Sequence, residues 1–136
     1  MNTLVHLTLG LLADQHAGTR GARLSFLGHE CSTTVAPAVL ARRYQRRLFT
    51  AICYRIELGK WRVEVGDEIP IDNGTKPRSI SEIMADVNQA LETAVRRDPA
   101  NWFWVHKRWK PLSRGERTPP SSPTEIQAQS DSFPSH

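Results

Sequence analysis

Apolar residues recur every three or four positions between residues 79 and 97, which is the spacing of one face of an α-helix. The apolar positions of this segment are Ile80, Ile83, Met84, Val87, Leu91, Ala94 and Val95. Ser79 precedes Glu82 by three positions, the pattern of a capping box at the start of a helix. The pattern therefore predicts a long amphipathic helix over residues 79–97, with cations in its last turn.

Two shorter segments also favour helices. Residues 32–34 offer N-cap hydroxyls, and Val35, Val39 and Leu40 follow at helical spacing, with Pro37 acceptable in the first turn. This pattern predicts a helix over residues 33–44. Pro99 can open another helix over residues 100–109, which would carry three of the four tryptophans.

Strand patterns occupy much of the remaining chain. Residues 4–14 alternate and then become an apolar run, which predicts a buried strand followed by a loop containing Gly18 and Gly21. Residues 22–28 suit either a short strand or an extended loop. Residues 47–56 and 61–65 predict two strands joined by a hairpin-like turn. The predicted fold class is α/β, with a partial mixed sheet of roughly three to five strands and flanking helices.

Length and composition set limits on this fold. The chain has 136 residues, room for one domain, and its 39% hydrophobic and 24% charged content names no function. We expect an ordered domain over residues 1–110 and a disordered tail over 111–136, which is rich in Pro, Ser and Gln. Cys31 and Cys53 form no CxxC motif, so a reducing setting without a zinc site is expected. No apolar run reaches about 18 residues, and we expect neither a transmembrane segment nor an export signal.

The net charge of +4 favours anionic partners such as phosphate groups, nucleic acid or an acidic membrane surface. The segment NWFWVHKRWK, residues 101–110, combines aromatic side chains with cations and suits any of these partners. If the partner is a membrane, the candidate lipid contacts are Trp102, Trp104, His106, Lys107, Arg108, Trp109 and Lys110. The alternative, left open by the sequence, is that the tryptophans are packing residues of the core.

A second polar concentration, DQHAGTRG, follows the apolar run that ends near Ala13. Ligands collect at the carboxyl ends of strands in α/β proteins, so Asp14, Gln15, His16 and Arg20 are candidate substrate-binding residues. An ordinary turn, with Asp14 accepting hydrogen bonds from local amides, explains the same residues. No nucleophile motif or phosphate-binding glycine loop occurs, and none of the five histidines precedes an acid by five positions. The sequence therefore predicts no catalytic residue, metal site or cofactor.

Several blocks of the sequence carry a family resemblance. They are LLADQHAG, SFLG, STT, APAVLARR, RLFTAICYRIELGKWRVEV and RRDPANWFWVHKRWK. In order and spacing, over roughly residues 5–112, they resemble the C-terminal half of the bacterial lipid A biosynthesis acyltransferases. These are the lauroyl/myristoyl acyltransferases of the lysophospholipid acyltransferase superfamily. The last block matches the family pattern most specifically, through Pro99, Trp102, Trp104, His106, Arg108, Trp109 and Lys110.

The resemblance implies a partial glycerolipid-acyltransferase-like fold and transfer of a fatty acyl chain. The donor would be acyl carrier protein or acyl-CoA, and the acceptor a hydroxyl of a lipid A precursor or related phosphorylated glycolipid. It implies a peripheral position at the cytoplasmic face of the bacterial inner membrane. Asp14, Gln15 and His16 would then line the acceptor side of a cleft, and Arg20 and Arg23 would meet phosphate.

The resemblance also implies an incomplete enzyme. Members of the family use a histidine with an acid five positions on, upstream of these blocks and after a membrane-anchoring helix, and this sequence contains neither. We therefore expect a fragment that is inactive alone, with an exposed edge strand in its partial sheet. The alternatives are a non-catalytic remnant, or a small basic nucleic-acid-binding module supported only by the charge and the Trp/Lys/Arg cluster.

Overall fold

The computed structural model describes residues 8–111, which fold as four strands and two α-helices. In chain order the elements are β1 (Ala22–Phe26), β2 (His29–Thr33), α1 (Ala36–Arg43), β3 (Leu48–Glu57), β4 (Lys60–Ile69) and α2 (Ile80–Arg97). Short 3-10 helices span Gly18–Arg20 and Pro99–Asn101. The predicted α/β class is confirmed. The predicted disordered tail over 111–136 lies almost wholly outside the described residues.

The strands form two separate two-stranded antiparallel sheets, β1–β2 and β3–β4, so the prediction of one mixed sheet is wrong. The reason lies in the connections, because a two-residue turn can join only antiparallel neighbours. Leu27 and Gly28 make the first turn, both with positive φ, and Leu58 and Gly59 make the second. The strand interpretation of residues 22–28 is confirmed, and β4 extends beyond its predicted end to Ile69.

The strand predicted over residues 4–14 is wrong for the part that the structure describes. Residues 8–13 have no regular structure, and Leu9 and Leu12 are largely exposed; residues 4–7 lie outside the described range. An apolar run becomes a strand only where another backbone pairs with it. The first backbone pairing after these residues is a single antiparallel bridge between His16 and Thr33 of β2. Alternation of residue types cannot show whether such a partner exists.

The long helix α2 is confirmed, and it begins as predicted. The backbone N–H of Ser79 donates to Glu82 Oε2 over 2.8 Å, while the Glu82 N–H donates to Ser79 Oγ over 3.2 Å. These two bonds satisfy amides that the first turn leaves without helical partners. Helix α1 is shorter than the predicted 33–44, because Ser32 and Thr33 belong to β2.

The helix predicted over residues 100–109 is wrong. After Pro99–Asn101 the backbone continues in turns, with the Trp104 N–H donating to the Trp102 carbonyl and the His106 N–H to that of Phe103. These bonds span two and three residues, whereas an α-helix needs four. Buried contacts of Arg108 with other parts of the molecule hold the segment in this open path.

One face of α2 contributes to two hydrophobic clusters. Ile83, Met84 and Val87 pack with Ala38 of α1 and Ile69 of β4. Nearer the end of the helix, Val95 packs with Phe26 and Cys31 of the β1–β2 hairpin. Leu91 contacts both clusters. The helix therefore joins the two hairpins, which do not pair with each other.

Gly21 marks a close approach between the loop before β1 and the strand β2. A Cβ added at this buried position would lie 2.8 Å from the Thr33 carbonyl oxygen and would collide with the Ser32 hydroxyl. Glycine is needed here because there is no room for a side chain. Its backbone conformation is not the reason, since a φ of −84° is open to other residues.

Gly21→Ala should lower the free energy of unfolding by about 1–3 kcal/mol, because the added methyl group overpacks a fixed contact. Gly10→Ala is the matched control: its new Cβ meets no atom within 4 Å, and its effect should stay within about 0.5 kcal/mol. Urea unfolding followed by circular dichroism measures both. Equal midpoints for the two variants would contradict the close approach.

Candidate functional site

Residues 14–21, which hold the predicted substrate-binding residues, form a loop along the free edge of β2. We call this segment the 14–21 loop. The Ala17 N–H donates to the Ser32 carbonyl over 3.2 Å, and Ser32 Oγ donates to the Gly18 carbonyl over 2.6 Å. His16 bridges Thr33 in the antiparallel sense. Backbone pairing therefore fixes the path of the loop.

Arg108 contacts the same loop from the inside of the molecule, and its side chain is fully buried. Nη1 donates to the carbonyls of Gln15 and, over 3.0 Å, Ser32. Nη2 donates to Thr33 Oγ1 over 3.0 Å and to Asn88 Oδ1 over 3.4 Å. One guanidinium group thus joins the 14–21 loop, β2 and α2.

The guanidinium of Arg108 makes its hydrogen bonds to neutral oxygens, and its buried Nε has no partner among the described residues. Burial lowers the pKa of Arg108, while charge interactions with Cys31 and Asp14 act in the opposite direction. Arginine remains protonated at any physiological pH. A permanent positive charge therefore lies behind the loop, within electrostatic range of Asp14.

His106 makes a second contact between the C-terminal segment and the 14–21 loop. Its Nε2 accepts a hydrogen bond from the backbone N–H of His16 over 2.8 Å. A ring nitrogen that accepts carries no proton, so the contact requires the neutral imidazole with its proton on Nδ1. Protonation of Nε2 would remove this bond.

The described histidines are not arranged as general bases. His16 Nδ1 is buried without a hydrogen-bond partner among residues 8–111, and His106 Nε2 accepts from a backbone amide. Between residues 8 and 111, no carboxylate lies within hydrogen-bonding or ion-pair distance of His16, His29 or His106. A base that deprotonates a hydroxyl is typically oriented by such a carboxylate.

The structure brings the two predicted groups of residues together, and their members differ in availability. Asp14 is half-buried and Gln15 is exposed, both at the start of the loop. Arg20, at the end of the 3-10 helix, is exposed and forms no ion pair with any described residue. Arg23 forms an ion pair with Glu30 across the β1–β2 hairpin. Of the two arginines, Arg20 is the one available to a ligand.

The tryptophans of residues 101–110 divide between the core and the surface. Trp102 and Trp109 pack against Phe26 with ring centroids 5.4 and 6.1 Å away, and Trp109 Nε1 donates to the Phe26 carbonyl. Trp104 is 53% exposed, and its Nε1 donates to the Pro99 carbonyl. Lys107 and Lys110 are exposed, whereas Arg108 is enclosed. Trp102 and Trp109 are thus packing residues, whereas Trp104 lies at the surface.

Asn88, the partner of Arg108 on α2, is not among the site residues predicted from the sequence. Its Oδ1 accepts from Arg108, while its Nδ2 donates to the Ser25 carbonyl over 2.9 Å and to Thr33 Oγ1 over 3.2 Å. The side chain is 1% exposed. Its signal was present in the sequence, because Asn88 interrupts the apolar face of α2 between Met84 and Leu91. A polar residue in that position needs buried partners.

Two further observations concern residues 8–111. Cys31 and Cys53 are both free, and no group of three His, Cys, Asp or Glu side chains in this range is arranged to hold a metal ion. No helix in the same range is both long and apolar enough to cross a bilayer.

Comparison with known proteins defines the class of the chain. A family model described as bacterial lipid A biosynthesis acyltransferase matches residues 6–111, well over half of the 136-residue sequence. The chain therefore belongs to that family, and the resemblance is confirmed. No curated protein matches the sequence.

Arg108→Met should lower the free energy of unfolding by about 3 kcal/mol, because it leaves buried acceptors of the loop, β2 and α2 without their charged donor. Lys107→Met, the adjacent exposed cation, should change it by no more than about 0.5 kcal/mol. Urea unfolding measures the difference. Amide hydrogen exchange should also accelerate in the 14–21 loop of the Arg108 variant; a protection pattern identical to that of the native chain would show that Arg108 does not hold the loop.

Proposed function

We propose that this chain binds the phosphorylated glycolipid acceptor of acyl transfer in lipid A biosynthesis, using the 14–21 loop as its recognition element. The observation that supports this most is the contact of Arg108 and His106 with that loop. Two segments of the family match, about 90 residues apart in sequence, meet through a buried cation and a ring nitrogen. Such a construction keeps a polar loop in one conformation, as specific binding requires.

The chemistry of the loop suits a sugar phosphate. Arg20 presents a planar, permanently charged donor that can hydrogen-bond two phosphate oxygens at once. The Asp14 carboxylate and the Gln15 amide can accept hydrogen bonds from sugar hydroxyls. Glu30 already neutralises Arg23, so we assign Arg23 a secondary role at the edge of the site.

The remaining features of the proposal follow from the family. The acyl donor is acyl carrier protein or acyl-CoA, and the reaction takes place at the cytoplasmic face of the bacterial inner membrane, with this chain peripheral to the bilayer. None of the described histidines is oriented by a carboxylate. We therefore assign to residues 8–111 the binding and placement of the acceptor. The deprotonation of its hydroxyl is not assigned to them.

Arg20→Ala should weaken binding of a phosphorylated lipid A-type glycolipid in detergent micelles by about tenfold, through loss of a charge-assisted contact. Arg43→Ala is the control, because it removes another exposed cation, from the last residue of α1. Titration calorimetry with the glycolipid and its dephosphorylated form measures the effect. Equal losses for both variants, or no preference for the phosphorylated form, would remove the assignment.

The purified 136-residue chain should transfer no acyl group above background from either donor, because a hydroxyl needs an oriented base for efficient attack. Incubation with labelled acyl carrier protein or acyl-CoA and the same glycolipid measures transfer. Robust transfer that is abolished by His16→Gln or His106→Gln would show that one of these histidines acts as the base, contrary to the proposed division of roles.

A further inference from the structure

The β3–β4 hairpin carries its most exposed apolar side chain at its apex. Leu58, the first turn residue, is 88% exposed, and Trp61 and Ile56 beside it are 59% and 49% exposed. Gly59 completes the turn with a φ of +76°. These side chains remain in water in the folded chain, so their transfer to an apolar environment would be favourable.

Cations surround this apolar tip. Arg55, Lys60 and Arg62 are exposed on the last residues of β3 and the first of β4. Glu57 offsets one of them through a 2.8 Å ion pair with Lys60. Arg62 lies 3.8 Å from Glu64, but that carboxylate already accepts two shorter hydrogen bonds from Arg97. The tip is therefore apolar at its centre and positive around it.

A second exposed apolar segment lies next to the hairpin. Phe103, Trp104 and Val105 are 68%, 53% and 81% exposed. Asn101, two residues before them, accepts from the Arg55 N–H over 3.0 Å and donates to the Cys53 carbonyl over 2.7 Å. This side chain joins the base of the second segment to β3 just before the hairpin tip.

We propose that the hairpin tip and residues 103–105 together form a membrane-docking surface that inserts into the headgroup region of a bilayer containing anionic lipids. Leu58 is exposed at the apex of the β3–β4 turn, and a deformable lipid surface can enclose such a side chain. Tryptophan favours the boundary between headgroups and acyl chains, and the surrounding cations meet lipid phosphates. Charge complementarity thus selects an anionic lipid surface as the partner.

The docking surface rests on the proposed function and extends it, because it would present the 14–21 loop to an acceptor embedded in the bilayer. Residues 103–105 lie in the same turn segment as His106 and Arg108, whose side chains contact that loop. The proposed lipid-contacting residues and the residues that hold the acceptor loop therefore belong to one continuous segment of the chain.

Sedimentation with vesicles of phosphatidylcholine and about 30% phosphatidylglycerol tests the surface, since the positive tip should require the anionic lipid. Leu58→Ser and Trp61→Ser should each reduce binding about tenfold, through loss of an apolar contact with the bilayer. Val39→Ser, which changes an apolar side chain of α1 that is 40% exposed, should leave binding within about twofold. Added salt should weaken binding of the native chain.

Val63→Ser distinguishes binding through the hairpin tip from binding through the strand β4, where Val63 is 65% exposed. A loss of vesicle binding with Val63→Ser but not with Leu58→Ser would overturn the proposal in favour of the sheet face. The proposal is also wrong if the native chain does not bind vesicles and instead dimerises or binds nucleic acid through the hairpin tip and residues 103–105. Unfolding midpoints of all variants, measured in parallel, identify any loss that comes from misfolding.

A fluorophore at the apex provides a direct measurement. An environment-sensitive dye on Leu58→Cys, in a Cys53→Ser background, should shift to the blue on anionic vesicles and be quenched by lipids carrying a quencher on the acyl chain. The same dye on Val39→Cys should do neither. Because these vesicles contain no glycolipid, a positive result stands even if Arg20→Ala shows no effect on acceptor binding, so the two proposals fail independently.

Discussion

The arrangement of the other elements depends on the hydrogen bonds that the buried guanidinium of Arg108 donates. This group contacts the 14–21 loop, β2 and α2 at the same time. Burying a charge is costly unless the surrounding oxygens replace its water shell, and here two carbonyls, a hydroxyl and an amide do so. The loop conformation and the packing of residues 101–109 are therefore parts of one polar network.

The hydrophobic clusters alone would not produce this arrangement. The two hairpins share no strand pairing, so their relative position comes from the apolar face of α2 and from the polar groups beside it. Asn88 stands within that face and binds both β1 and β2 through its amide. Apolar contacts bring the β1–β2 hairpin to the helix, while directional hydrogen bonds determine its orientation.

Local patterns in the sequence predicted the elements whose stability is local. The capping box and apolar spacing predicted α2, and residues that favour strands around a glycine turn predicted β3 and β4. Long-range partners decided the other elements. Residues 8–13 have the composition of a strand, but no strand among residues 8–111 pairs with them. Trp102, His106 and Trp109 have helical spacing, but the hydrogen bonds of Arg108 to the 14–21 loop, β2 and α2 keep this segment out of a helix. For the same reason, the sequence marked Gln15 and Arg108 as candidates without showing that they touch.

Asn101 shows how one polar side chain can serve both folding and the presentation of a surface. An unpaired edge of a ten-residue strand is a site for pairing with another chain. The Asn101 amide occupies the Cys53 carbonyl and the Arg55 N–H on the edge of β3, as a neighbouring strand would. The same two bonds set where the chain leaves the sheet, and hence where Phe103, Trp104 and Val105 emerge. Among residues 8–111, this strand edge is thus closed by a side chain and not by a further strand, and the three residues that follow stay exposed.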